Sequence, residues 1–496
     1  MTSTYFHVDK ITSLASMAQG ARIHFIGVCG VAMAQLAVLL SERGYRVSGS
    51  DRDFYEPMGS LLRSSAVELY RGYSEKNISR DIDLVVIGNV AAATHPEVEA
   101  LKALELNYTI LPALLYESII DGRQSFVIAG THGKSTTTAM LAWAFEKTGL
   151  KPSYFVGGIV NGLSKSLNMG SGPYSVVEGD EYDSAFFAKI PKFHFYKPDV
   201  LIITSLEFDH IDIYQNLEQI ISQFEILLES VSKRTGRVIL CLDDQNLCRL
   251  YKTWKKRYPL KFTTYGESPG ADYRLIQAGR RDQNQFARVR TDAGEEFEYQ
   301  LTIPGRYNLK NALSALIALE EAGVERSSGV SALAQFRGVK RRQELKYVSD
   351  RIIVIEDFAH HPTAVRETVR AIKEAYPDRR VVAVFEPRST TSRRKIFEDD
   401  YVKSLLEADI VLLKEAERKP IDKDLELFSA ADVAEKLTFR GVSAEAYRDT
   451  EEIKENIINI AGERDLVLIM SNGSFDNLTD SLVNALKASP ADQDQK

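Results

Sequence analysis

Gly130-Thr131-His132-Gly133-Lys134-Ser135-Thr136 follows the apolar run SFVIA and opens a stretch rich in Ala, Leu and Met. A strand, a glycine turn and a helix start, in that order, make a cradle for phosphate. Glycines let backbone N–H groups curl towards phosphate oxygens, and the helix N-terminus adds the positive end of its dipole. Lys134 supplies a mobile charge, and the hydroxyl of Ser135 is placed to meet Mg2+. The loop is shorter than the general GxxxxGK[ST] pattern, yet an ordinary strand-to-helix turn gives little reason for G-K-S. A nucleoside triphosphate is the expected ligand.

A second glycine turn, Gly27-Val28-Cys29-Gly30, follows the strand-like run RIHFI, and Ser50-Asp51 ends the next such run. The turn lacks the central glycine of GxGxxG, so it is a weak dinucleotide fingerprint and leaves an oxidoreductase as the runner-up. Pyrophosphate binding at a glycine turn does not require NAD, because a UDP-sugar carries the same group. A carboxylate at Asp51 could then meet ribose or uracil. Other polar residues are ambiguous alone. His210 reads as a core or surface histidine, Asn308 as a helix cap, and Lys340-Arg341-Arg342 as a solvated face. His360-His361-Pro362 reads as a helix cap with Pro at the first turn rather than as a metal motif.

These residues sit on a repeated alternation of short β-rich runs and helical patterns. RIHFIGV, YRVSGSD and DLVVIGN belong to a first unit; SFVIAG, YSVVEGD, DVLIITS and RVILCLDD to a second; RIIVIEDF, RRVVAVFEP and DLVLIMSN to a third. That rhythm predicts an α/β protein of three domains, 1-124, 125-340 and 341-496, which agrees with a chain of 496 residues at roughly 150 per domain. Rossmann-like first and third domains would flank a central ATPase-type domain with a parallel or mixed sheet. The polar end ASPADQDQK is expected to be disordered.

A hydrophobic share of 44% and a charged share of 26% suit a soluble globular protein. No run of about 18 apolar residues is long enough to span a membrane. The N-terminal stretch, with Asp9 and Lys10 and no apolar segment, does not read as a signal peptide. Three scattered cysteines form neither a disulfide framework nor a metal knuckle, which fits a reducing cytoplasm. The net charge of -7 argues against a nucleic-acid partner.

GTHGKSTTT resembles the GT[HN]GK[ST]T signature of the Mur ligase family, and further strings resemble that family in order. The resemblance implies ATP and Mg2+ as cofactors, with Gly130, Thr131, His132, Gly133, Lys134, Ser135 and Thr136 around the phosphates. Glu178, in EGDE, and His210, in DH, take the family's magnesium positions together with Ser135. Asn308 and Asn311, in GRYNLKNALSA, take the positions that read adenine. Arg342, in GVKRRQE, matches a hinge arginine reaching the phosphates, and Asp357, in EDFAHHP, meets the ribose or phosphate region. Lys134, Glu178, His210 and Arg342 would be the catalytic set.

The same resemblance makes UDP-N-acetylmuramate the acyl substrate, with Gly27, Gly30, Ser50, Asp51, Asn89, His132 and Arg388 as its binding or positioning candidates. A carboxylate is a poor acyl donor, so the chemistry implied is phosphorylation to an acyl phosphate followed by attack of an amine. Strings such as SLEFDH, GVKRRQE, EPRSTT and SNGSF resemble the branch that adds the murein tripeptide L-Ala-γ-D-Glu-meso-diaminopimelate in peptidoglycan recycling. The alternative is the branch that adds L-alanine in de novo synthesis. Arg388, Arg393 and Arg394 are candidates to pair with the tripeptide's carboxylates, and a monomer or homodimer is expected. Several family members place a carbamoylated lysine shortly after the magnesium histidine, where this chain reads Gln223-Phe224-Glu225. Either Glu225 substitutes or the second metal is held without that group. Folate-type ligases share the phosphate loop but not the first domain.

Overall fold

The computed structural model describes residues 5–488 other than 235, 420, 421, 423, 424 and 463, so most of the terminal ASPADQDQK lies outside the described residues. Three sheets organise the chain. The first is wholly parallel, in the order Glu68–Arg71, Arg46–Asp51, Arg22–Ile26, Leu84–Ile87, Tyr108–Ile110. Chain direction across the sheet reverses between Arg22–Ile26 and Leu84–Ile87, and such switch points open a crevice at the strands' carboxyl ends. There Gly27 turns with φ +79°, and a Cβ on it would come 2.6 Å from Val90. The helix Val31–Glu42 starts directly after Gly30 and buries an apolar length against the sheet.

One core position carries a titration. His24 lies fully buried on Arg22–Ile26, with Nδ1 2.9 Å from Ser48 Oγ and no partner for Nε2 among the described residues. Burial pushes its pKa down to about 4. The unfolded chain therefore binds a proton that the folded chain refuses between the ordinary histidine value near 6.5 and about 4. The associated stability is full above that window and falls by roughly 3 kcal/mol as pH drops through it. His24→Gln should flatten this part of a Tm-against-pH curve, and an unchanged slope in the variant would refute the assignment.

The central sheet has ten strands, and its parallel heart places Gln124–Ala129 between Val200–Ile203 and Tyr174–Glu178. Its apolar strands, buried on both faces, carry the near-continuous Val/Ile/Leu runs that such sheets require. One edge continues through Arg237–Cys241 and Lys261–Gly266 into the antiparallel meander Tyr273–Arg281, Asn284–Thr291, Glu296–Leu301. The helix Lys134–Lys147 is buried nearly all round and packs against Arg306–Glu321. A hairpin, Asp183–Ala185 with Ala188–Pro191, leaves this region and sets Phe186 and Phe187 among Phe6 and Tyr108 of the first unit.

The third sheet runs Glu344–Val348, Ile352–Asp357, Asp465–Met470, Arg380–Phe385, Ile410–Lys414, Ser443–Tyr447, parallel except for its first strand. Alternate residues feed two separate cores: Ile353 and Ile355 face one layer, Ile352 and Val354 the other. The result is the three-domain α/β fold the alternation predicts, with helices on both faces of the third sheet. No helix among the described residues is long and apolar enough to cross a membrane.

Candidate functional site

The carboxyl ends of Gln124–Ala129, Tyr174–Glu178 and Val200–Ile203 stand side by side because these strands are parallel neighbours. Their following loops line a cleft of about 890 Å3, which also meets Val31 and Ala32 of the first unit and Phe358 and His361 of the third. Gly130 has φ +124°, and a Cβ there would lie 2.5 Å from Thr204 Oγ1. Gly133, with φ +82°, would push a Cβ to 2.7 Å from Asn311 Oδ1. Both positions thus need glycine for backbone shape and for room. The helix Lys134–Lys147 begins at Gly133 with no side-chain cap, so its first N–H groups face the cleft without a side-chain acceptor.

Lys134 Nζ lies 2.6 Å from Gly130 O and 2.8 Å from Glu181 Oε2. Burial works against the ammonium, but the Glu181 carboxylate more than offsets it and raises the lysine pKa. Ser135 Oγ donates to Glu178 Oε1 at 2.8 Å, while Gly157 N donates to the other carboxylate oxygen at 2.8 Å. A hydroxyl and a carboxylate thus meet at the loop's edge, an all-oxygen pairing of the kind hard divalent cations prefer. Thr131 and His132 donate their backbone N–H groups to Ser205 O at 3.1 Å and Ser205 Oγ at 2.8 Å. Thr136 is buried behind them.

His210 lines the cleft with φ +55° and its ring 4.3 Å from that of Tyr182. Its backbone N–H donates to Asp209 Oδ1 at 2.7 Å, and that same oxygen receives Thr391 Oγ1 at 2.8 Å across the sequence. Glu207, two residues earlier, accepts from Thr363 Oγ1 at 2.8 Å and stands 3.1 Å from His132 Nε2. Burial pushes the Glu207 carboxyl up, but His132 together with His361 and Thr363 outweighs it and holds the pKa at about 2. Burial lowers His361 to about 4, so it is neutral near pH 7. Glu178 and His210 belong to no group of three His, Cys, Asp or Glu donors among the described residues; His132, Glu207 and His361 do.

Asn308 lies inside the helix Arg306–Glu321, whose cap is Gly305, and its amide donates back to Pro304 O at 2.6 Å. The capping alternative is therefore set aside. Asn311 sits against Gly133, and Asn308 and Asn311 are both buried at the cleft wall. Arg342 stacks over Phe358 at 4.7 Å, between two non-glycine residues with left-handed φ, Arg341 at +59° and Gln343 at +53°. Backbone strain of this kind persists only where surroundings enforce it. Here Arg341 Nε is held by Glu356 at 2.8 Å, and Gln343 N by Asp357 Oδ2 at 2.8 Å. Asp357 is buried and also accepts from Ala359 N at 2.7 Å. Within the basic run only Lys340 is exposed: Arg341 is pinned and Arg342 enters the cleft.

In the first unit, Ser50 Oγ donates to Glu97 at 2.6 Å. Asp51 accepts from Cys29 N at 2.8 Å and Tyr73 Oη at 3.1 Å, so its carboxylate shapes the Gly27 to Gly30 turn. Asn89 is exposed just past Leu84–Ile87. Arg388 packs against Gly473 and reaches Glu386 at 3.4 Å, outside the lining of the cleft. Glu225 binds Arg257 at 2.8 Å and Trp254 Nε1 at 3.2 Å, joining two helices away from the cleft, so it does not complete a metal site there. Arg393, a candidate for peptide carboxylates, is 2% exposed and paired with Asp422 at 2.9 Å. His361 caps Pro362–Ala375, as the sequence suggests. Sequence reasoning missed Glu181 and Glu207; both stood within motif strings, but nothing local told which carboxylate faces which cation.

Comparison with known proteins agrees with this geometry. Family models described as Mur ligase family catalytic domain, Mur ligase middle domain, and Mur ligase glutamate ligase domain match residues 22–120, 128–319 and 341–473. A UDP-N-acetylmuramate--L-alanyl-gamma-D-glutamyl-meso-2,6-diaminoheptandioate ligase of Escherichia coli is 34% identical over 475 residues, covering 94% of this chain and 98% of the relative. A UDP-N-acetylmuramate--L-alanine ligase of Carboxydothermus hydrogenoformans is also 34% identical, over 404 residues, covering 80% and 83%. The crystal structure of a murein peptide ligase from Psychrobacter arcticus aligns with TM-score 0.69 and 31% identity over 95% of this chain and 99% of that one. With all three units matched in order and the phosphate loop at the mouth of their shared cleft, the chain belongs to the Mur ligase family and is an ATP-dependent ligase.

Proposed function

We propose that this enzyme joins UDP-N-acetylmuramate, through its lactyl carboxylate, to the α-amine of L-Ala-γ-D-Glu-meso-diaminopimelate in the cytoplasm, in peptidoglycan recycling. The observation that carries the chemistry is the phosphate loop with Lys134, Ser135 and Glu178 converging on one cleft. In this reading the domains divide near 124 and 340. The first holds the UDP-sugar at Gly27, Gly30, Ser50, Asp51 and Asn89, and the second holds ATP.

Lys134 leaves Glu181 for the transferred phosphoryl group, and Arg342, presented by the strained joint, offsets charge developing there. Asn308 and Asn311 read adenine, and Asp357 meets the ribose. Ser135, Glu178 and His210 would hold Mg2+, which supplies charge neutralisation at the phosphates. Glu207 and Asp209 accept hydrogen bonds from Thr363 and Thr391 of the third domain, and these contacts keep that domain over the cleft and water out. A muramyl carboxylate oxygen attacks the γ-phosphorus of ATP and ADP leaves; the amine then attacks the acyl phosphate carbon, loses a proton and displaces inorganic phosphate to give the amide.

The tripeptide is supported by the names of two relatives, 34% and 32% identical over 94% of this chain, and by the motif strings of the second and third domains. The second reading, L-alanine addition, is favoured by a relative of that name that is 34% identical over 80% of this chain. With UDP-N-acetylmuramate and ATP saturating, kcat/KM for the tripeptide should exceed that for L-alanine by at least about a hundredfold, the discrimination available to a site built around the substrate's polar groups. A preference for alanine would move the enzyme to the other branch without touching the ATP chemistry.

A further inference from the structure

Four of the chain's eight histidines, His132, His210, His360 and His361, line the one cleft. Two of them converge on a carboxylate. His132 Nε2 stands 3.1 Å and His361 Nδ1 3.5 Å from the same oxygen, Glu207 Oε2, and the three donor atoms lie within 4.8 Å of one another. They come from three separate segments: the phosphate loop, the loop after Val200–Ile203, and the start of the helix Pro362–Ala375 in the third unit. We propose that His132, Glu207 and His361 form a binding site for a borderline divalent cation of the zinc class, separate from the magnesium position, which ties the phosphate loop to the third domain.

Two imidazoles and one carboxylate are a donor set that zinc uses with a fourth position left open, whereas magnesium favours sites dominated by oxygen, such as Ser135 and Glu178 with the single imidazole of His210. Tetrahedral zinc with nitrogen and oxygen ligands near 2.0–2.1 Å separates its donors by about 3.3 Å. The two separations at Glu207, 3.1 and 3.5 Å, bracket that figure. His361 Nδ1 accepts the Thr363 N–H at 3.3 Å as the helix cap and stands 3.5 Å from Glu207 Oε2. An imidazole nitrogen has a single lone pair, so a cation bound here takes it over from the Thr363 N–H. Supporting hydrogen bonds orient the donors: Thr363 Oγ1 donates to Glu207 Oε2 at 2.8 Å, and Ser205 Oγ fixes the His132 backbone at 2.8 Å.

The test uses the full chain as Cys248→Ser, which removes its exposed thiol, without ATP or muramate, so the outcome does not depend on the ligase reading. Zn2+ is titrated calorimetrically, and Co2+ is followed by visible absorption. One Zn2+ per chain, a tetrahedral Co2+ spectrum and no displacement by excess Mg2+ are expected. Glu207→Gln and His361→Asn should each weaken Zn2+ binding on the order of tenfold or more. Asn is itself a good cap, so the helix start survives the loss of the imidazole. Equal Zn2+ affinity in parent and variants overturns the site. So does stoichiometric displacement by Mg2+, which would place the ion at Ser135 and Glu178, or weak multi-site binding insensitive to both variants.

Discussion

Lys134→Met slows ATP-dependent amide formation by at least about a hundredfold, because a donor placed for the transition state of phosphoryl transfer contributes on the order of 3 kcal/mol. The fold is also expected to suffer. Lys134 is the 2.8 Å partner of Glu181, whose side chain is 5% exposed. Stripping one member from a buried ion pair leaves the other charge uncompensated, typically a loss of roughly 3–5 kcal/mol unless the group takes up a proton. Burial already raises the Glu181 pKa, so protonation is the route it will take. Glu181→Gln removes the orphaned charge and keeps an oxygen for the Gly130 N–H, now donated to Glu181 at 3.3 Å. Phosphate release and Tm are measured in both single variants and in the double variant. A double variant with parental Tm that stays inactive separates chemistry from stability. Recovery of turnover in the double variant would remove Lys134 from the proposed chemistry.

The contrast between Lys134 and Glu181 marks how far the sequence could be read. The alternation of apolar runs and helical patterns announced parallel sheets, because a strand buried on both faces has to be apolar throughout. The turn before Lys134 was legible because strand, glycines and helix start are contiguous. Partnerships across sequence were not. Glu178, Asp180 and Glu181 lie within four residues, yet they face Ser135, Lys192 and Lys134 respectively. Asp51, a candidate to meet ribose or uracil, also accepts from Cys29 N and Tyr73 Oη, partners that its place at a strand end does not announce. Glu225 looked available for a metal and is taken by Arg257 and Trp254. Charge type is written in a motif, but direction depends on which loops the sheet order brings together.

Arg393 makes the same point with a larger energy. Its guanidinium meets Asp422 at 2.9 Å, with both side chains nearly sealed from solvent, and its Nε and Nη1 find no partner among the described residues. Asp422 also accepts the Lys419 N–H at 2.8 Å, so the pair pins the loop after Ile410–Lys414 to the loop after Arg380–Phe385. Asp422→Ala should therefore destabilise the third domain by roughly 3–5 kcal/mol. Because a multidomain chain has no single unfolding free energy, the loss is best read as amide hydrogen exchange, accelerated on the order of a hundredfold or more along Arg380–Phe385. Replacing both partners by apolar residues, Arg393→Met with Asp422→Leu, should return exchange close to the parental rate, since a buried pair and a packed apolar pair are often near equal in stability. The double variant also decides the role of Arg393. A positioning residue leaves kcat/KM for the tripeptide within a few-fold of parental once stability is restored. A residue that pairs with a peptide carboxylate would lose about a hundredfold with stability intact, because a buried charged partner is then left unmatched in the complex.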